Sequence, residues 1–67
     1  MTYRYYLTQR PPSPGAQPKG FIAMEDYGVR KPLSNGKLAW GHVDYKEKLT
    51  KGQVTEYELK YGGQLHE

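Results

Sequence analysis

The sequence predicts a small α+β to mainly β domain: one antiparallel sheet of three to four strands, at most one short helix, and a long Pro-rich loop. Three observations predict it. Strand-forming residues alternate with period two over several short runs. Pro and Gly cluster between those runs and cannot belong to them. The length, 67 residues, leaves room for one core, because chains this short bury only about 60% of the surface they expose when unfolded.

Tyr3 to Thr8 reads Y-R-Y-Y-L-T, with Tyr3, Tyr5 and Leu7 alternating against Arg4, Tyr6 and Thr8. These residue types suit a pleated surface, so this is the first strand. Tyr6 breaks the polar face: either both faces are partly covered or Tyr6 is an exposed aromatic with a role. Residues 9–20, Q-R-P-P-S-P-G-A-Q-P-K-G, hold four of the five prolines and two glycines. Pro fixes φ and removes ladder donors, so the segment is a loop of extended, polyproline-like character. Its stiffness lowers the entropy lost on ordering, which favours a functional loop over a passive spacer.

Phe21 to Tyr27 is expected as the second strand, and its first four residues are apolar, as in a central strand. Residues 28–37 carry Pro32 and the pair Asn35-Gly36, a strong turn signal, and are expected to form a hairpin connection. Leu38 to Tyr45 alternates Leu38, Trp40, His42 and Asp44 with Ala39, Gly41, Val43 and Tyr45. It is the third strand, in which Gly41 marks a bulge or a close backbone approach. Thr50 and Gln53 have the spacing of a capping box, predicting a helical turn from Lys51 to about Thr55. Alternation of Tyr57, Leu59 and Tyr61 places a last strand over Glu56 to Tyr61. Gly62-Gly63 should end it, with residues 62–67 a frayed tail. Residues 1–67 are read as a single domain.

Leu, Ile, Val and Phe together number eleven, against seven Tyr and one Trp, so tyrosine must carry much of the packing. The chain has no Cys, which excludes a disulfide staple and a thiolate zinc site. A homo-oligomer is the expected source of further support, a second copy covering the other aromatic face. The formal charge is +3. It is uneven: residues 1–40 carry six basic and two acidic side chains, residues 41–67 four and five. The excess favours anionic partners, while the longest basic run, Arg30-Lys31, is too short for a dedicated duplex binder. No apolar stretch reaches the roughly 20 residues of a membrane span, and no signal sequence is evident, so the expectation is a soluble protein of the host-cell cytoplasm with no membrane partner.

His42 and Asp44 lie two apart and project from one strand face, where the carboxylate could orient the imidazole or both could ligate a metal. A metal needs further ligands and a hydrolase a nucleophile, and only His66 and scattered Glu are on offer. Glu25 and Asp26 are adjacent and point to opposite faces. No glycine-rich phosphate loop is present. The chain is therefore read as a non-enzyme without metal or cofactor. Recognition by surface remains: tyrosines and Trp40 offer flat faces, and Arg4, Arg10, Lys19, Arg30 and Lys31 offer phosphate donors. The same mixture suits a protein interface, where Tyr, Trp and Arg are the usual anchors.

The stretch Tyr5 to Phe21, with Trp40-Gly41-His42-Val43-Asp44-Tyr45, Leu49-Thr50 and Tyr57-Glu58-Leu59, resembles a group of short proteins from phages and mobile elements of Gram-positive bacteria. The likeness covers most of the chain and centres on T-Q-R-P-P-x-P-G-A. It brings no catalytic residues. It implies a counter-defence factor: a small homo-oligomer that sequesters an anionic, nucleotide-derived immune signal in a pocket between subunits. In that picture Arg10 and Lys19 hold phosphate, Tyr6 and Trp40 stack on a base, and Gln9 and His42 supply polar contacts. The alternatives are an inhibitor or adaptor docking on a host defence protein, or a small nucleic-acid accessory protein.

Overall fold

The computed structural model describes residues 2–9, 11–13, 15, 17–33 and 36–65. Its elements are β1 (Thr2–Leu7), β2 (Ala23–Pro32), β3 (Leu38–Tyr45), α1 (Lys51–Glu56) and β4 (Leu59–Leu65). The strands form one antiparallel sheet in the order β2-β3-β1-β4. The expected class holds: a four-stranded antiparallel sheet with one short helix.

Strand alternation sorts the sheet into two faces. Opposite Tyr3, Tyr5 and Leu7 of β1 stand Tyr45, Val43 and Gly41 of β3, and Tyr61 and Leu59 of β4 face Tyr5 and Leu7 from the other side. This is the covered face. Its centre is the cluster Tyr5, Leu7, Val43, Tyr45 and Leu59, with Leu49, Val54 and Tyr57 from α1 and its flanks packed against it. Tyr5 is 1% exposed and Val43 0%, so the core rests as much on tyrosine as on aliphatics. The two phenols also tie down chain outside the sheet: the Tyr5 hydroxyl accepts from the Leu49 N–H at 2.9 Å, and the Tyr45 hydroxyl donates to the Pro18 carbonyl at 2.5 Å. Gln17 and Pro18 are buried there, and a Cβ at Gly41 would collide with the Glu25 carbonyl and with Pro12. Gly41 thus marks a close approach of backbone and proline ring.

Four expectations are corrected. β2 runs from Ala23 to Pro32 rather than from Phe21 to Tyr27, because a bulge between Asp26 and Lys31 lets the strand resume pairing after Gly28. It is an edge strand and exposed along nearly its whole length, not central; Pro32 is tolerated because an edge leaves N–H groups unpaired. The hairpin turn is correspondingly shorter, with the Gly36 N–H donating to the Leu33 carbonyl at 3.0 Å; Asn35 lies outside the described residues. The last strand starts at Leu59, since the helix continues to Glu56 and Glu58 adopts a left-handed φ of 56° at its end.

The fourth concerns the C-terminal glycines, which do not end β4. Pairing continues to Thr2 opposite Leu65, so the tail expected to fray from residue 62 is strand through Leu65. The register slips between Arg4 and Tyr5. Gly62 occupies the slip beneath the Tyr6 ring, where a Cβ would overlap ring carbons, and Gly63 takes φ 113°. The pair is a bulge device in place of a terminator. At the other end of the helix the anticipated capping box is complete, with the Gln53 N–H donating to the Thr50 hydroxyl at 3.1 Å and the Thr50 N–H to Gln53 Oε1 at 3.0 Å. Among the described residues no helix is long and apolar enough to cross a membrane.

Candidate functional site

The opposite face carries Arg4 and Tyr6 from β1, with Asp44 and His42 facing them from β3 and Gly63 and Lys60 from β4. Ala23 and Glu25 of β2 extend the row. The contacts of α1 and its flanks, of Pro12 and of Pro18 all fall on the first face, whereas on this one the β2 bulge folds Tyr27 over His42.

At its centre Arg4 grips Asp44 through two parallel bonds, Nε to Oδ1 at 2.9 Å and Nη2 to Oδ2 at 3.0 Å. The fork geometry matches guanidinium to carboxylate. Asp44 is buried and Arg4 partly exposed, and the hydrogen bonds to Asp44 raise the guanidinium above its already high ordinary pKa. Beside this pair, Tyr27 and His42 lie 2.6 Å apart, phenol oxygen to Nδ1. Burial, then the neighbouring Tyr6 phenol, pushes Tyr27 up, whereas burial and the Arg4 guanidinium push His42 below its usual value. Both groups are therefore neutral at pH 7. With the ring hydrogen of His42 assigned to Nε2, the phenol donates to Nδ1. The Tyr6 ring stands edge-on to His42, centroids 6.4 Å apart at 88°.

The bulge in β2 supplies the rest. It curls Tyr27 back over His42 and brings Arg30 over the Trp40 ring at 5.2 Å and Lys31 over the Tyr27 ring at 5.0 Å. The Asp26 carboxylate accepts from the Gly28 N–H at 2.8 Å and so stabilises the turn inside the bulge. The result is an aromatic surface overlaid by cations, with Lys60 opposite Tyr6 at its rim.

Of the residues singled out from sequence, Tyr6, Trp40 and His42 do share this face. Trp40 is half-buried and also touches the core cluster. Gln9 is exposed beyond the end of β1, in a cleft of about 270 Å³ with Arg30, Lys37 and Leu38, and so joins the group through Arg30. Lys19 does not join it. It lines a cleft with Tyr45 and Lys46 on the other side of the sheet, a separation set by the neighbouring Pro18, whose carbonyl is held by Tyr45 on the covered face. Arg10 lies outside the described residues. His42 and Asp44 share a face, as their spacing implies, and each is held by another group, His42 by Tyr27 and Asp44 by Arg4. Sequence reading missed Tyr27, because nothing short of the bulge turns it towards His42. The Asp26-x-Gly28 spacing was the available signal.

No curated protein and no solved structure matches the chain. A family model does, over residues 1–64, described as Defence against restriction A C-terminal. The match supports the phage and mobile-element counter-defence part of the resemblance, not the Gram-positive T-Q-R-P-P-x-P-G-A group in particular. Nearly the whole of this sheet domain is thus accounted for by one family, and the chain belongs to the Defence against restriction A C-terminal family, an anti-restriction family of phages and mobile elements.

Proposed function

We propose that the domain counters restriction as a non-enzymatic binding module that takes nucleic acid on the open sheet face. Restriction acts on DNA, and a defence can act by occupying that DNA. The observation that carries the reading is the grouping of Tyr6, Tyr27, Trp40 and His42 with Arg30, Lys31 and Lys60 on the face opposite α1. Aromatic rings accept bases by stacking, and cations beside them neutralise phosphate. The engagement of His42 by Tyr27 and of Asp44 by Arg4 favours binding over hydrolysis, since neither is poised as base or orienting carboxylate for the other.

The test is fluorescence anisotropy with single-stranded and duplex DNA of one sequence across a salt series. Affinity should fall with a steep linear slope in log salt, and Tyr6→Ala and Arg30→Glu/Lys31→Glu should each weaken it at least about tenfold, roughly 1.4 kcal/mol. Binding to neither form at millimolar protein sinks the reading.

A second reading keeps the narrower expectation of nucleotide capture between copies of the chain. Exposed Phe21, Ile22, Met24 and Val29 along and beside the edge strand β2 favour it, as a surface at which copies would meet. It requires a dimer or larger assembly by light scattering and saturable calorimetric binding of a cyclic dinucleotide. Docking on a host defence protein is the third outcome, recognised by a discrete partner on pull-down without a nucleic-acid or nucleotide ligand.

A further inference from the structure

The covered face has a feature that nucleic-acid binding on the open face does not use. Two clefts, of about 360 and 300 Å³, adjoin along the connection between β3 and α1 and share Lys48 and Leu49 as lining. The first is cationic, with Lys19, Lys46 and Lys48 against one acid, Glu47. The second is apolar at its base, with Tyr5, Leu49, Val54 and Tyr61, and is rimmed by Lys48 and Lys51. Four of the seven lysines of the chain thus gather along one groove. Along the sequence three of them belong to the half with a slight acidic excess; folding places Lys19 beside them.

The groove is built before any partner arrives. The Leu49 N–H is held by the Tyr5 hydroxyl at 2.9 Å, and the capping box at Thr50 and Gln53 fixes the entry to α1. Such preorganisation lowers the ordering cost of binding. Beside the apolar cleft runs β4, an edge strand with β1 as its neighbour in the sheet, whose outer backbone groups can accept a further extended chain.

We propose that this groove docks an extended acidic protein segment, with one large apolar side chain seated among Leu49, Val54 and Tyr61 and flanking carboxylates paired with Lys19, Lys46 and Lys51. Charge complementarity sets the sign of the partner, and the apolar base separates a peptide from a nucleic acid. A phosphate backbone has nothing to place against Leu49 and Val54.

The experiment is selection of a displayed random dodecapeptide library on the full chain, in parallel on the Lys19→Glu/Lys46→Glu variant. Recovered peptides should carry acidic residues around a large apolar one and should lose at least about tenfold in affinity on the charge-reversed variant, while Tyr6→Ala on the opposite face leaves them unchanged. Amide chemical-shift mapping of the best peptide should perturb Lys48, Leu49, Val54 and Tyr61. Failure to enrich, enrichment of peptides without acidic residues, or shifts confined to the open face overturns the proposal. Displacement of the peptide by a fifteen-residue oligothymidylate that perturbs the same amides would also overturn it, assigning the groove to nucleic acid. Loss of DNA binding by the Tyr6 face leaves these readouts untouched, so the two ideas fail separately.

Discussion

Tyr5 and Tyr6 are neighbours in the chain and inhabit opposite environments. Tyr5 points into the covered face at 1% exposure, edge-on to Tyr45 at 6.0 Å and 74°, with its hydroxyl satisfied by the Leu49 N–H. Tyr6 points to the open face, half-buried, lying over Gly62 and edge-on to His42. The same residue type is structural on one side and available on the other. What separates them is the cover: α1 and its flanks pack on the core cluster at Tyr5's side, where Tyr45 holds the Pro18 carbonyl and Pro12 lies against Gly41. Polar networks take over where cover is missing, so Arg4, Asp44, Tyr27 and His42 hold one another in place of an apolar core.

The contrast can be broken by substitution, and the largest effect belongs to the covered face. Tyr5→Ala should cost about 3–5 kcal/mol, comparable to the whole stability of a domain this small, whereas Tyr6→Ala should cost under about 1.5 kcal/mol. Urea denaturation of the two variants measures the difference. Equal losses would mean that the second face is covered as well.

Gly41→Ala comes next, at about 3 kcal/mol, because its Cβ meets the Glu25 backbone carbonyl and the Pro12 ring, and backbone cannot yield as a side-chain end can. On the open face, Asp44→Asn should lose about 1.5–3 kcal/mol in the same assay, through the two bonds to Arg4. A smaller and opposite change is expected at Gly52, in α1, where a Cβ would find nothing nearer than Thr50 Oγ1 at 3.9 Å. There Gly52→Ala should stabilise by about 1 kcal/mol, read as a higher denaturation midpoint.

The smallest effect is a pH dependence confined to the open face. Burial and Arg4 hold His42 below its ordinary 6.5, so on acidification the unfolded chain takes up this proton before the folded one. The contribution of His42 is therefore fully present above about pH 6.5 and declines as pH falls below it. Denaturation midpoints at successive pH values should show a shallower fall between pH 6.5 and 5 for His42→Gln than for the natural chain. A parallel fall in both would place the imidazole in water and remove the Tyr27 contact from the description.

Much of this architecture was legible locally. Alternation over Leu38–Tyr45 marked β3 to the residue, and Thr50 with Gln53 marked the helix start, because strand pleat and capping are properties of a few adjacent residues. The shared face of Tyr6, Trp40 and His42 followed partly from the same period, although placing β1 beside β3 needed the fold. What escaped were features created by pairing at long range. Gly62-Gly63 reads as a stop until the Tyr6 ring is found above Gly62; residues 28–32 read as a turn until the bulge returns them to the sheet.

By itself, then, the sequence determined the sheet, its helix and the dominance of tyrosine, since residue type and spacing act over one or two turns of backbone. Tertiary structure alone decided which tyrosines would be covered, which partners His42 and Asp44 would take, and that Lys19 would join Lys46, Lys48 and Lys51 along one groove. Those outcomes depend on where non-adjacent segments dock, and docking is governed by burial and sterics summed over the whole sheet rather than by any local pattern.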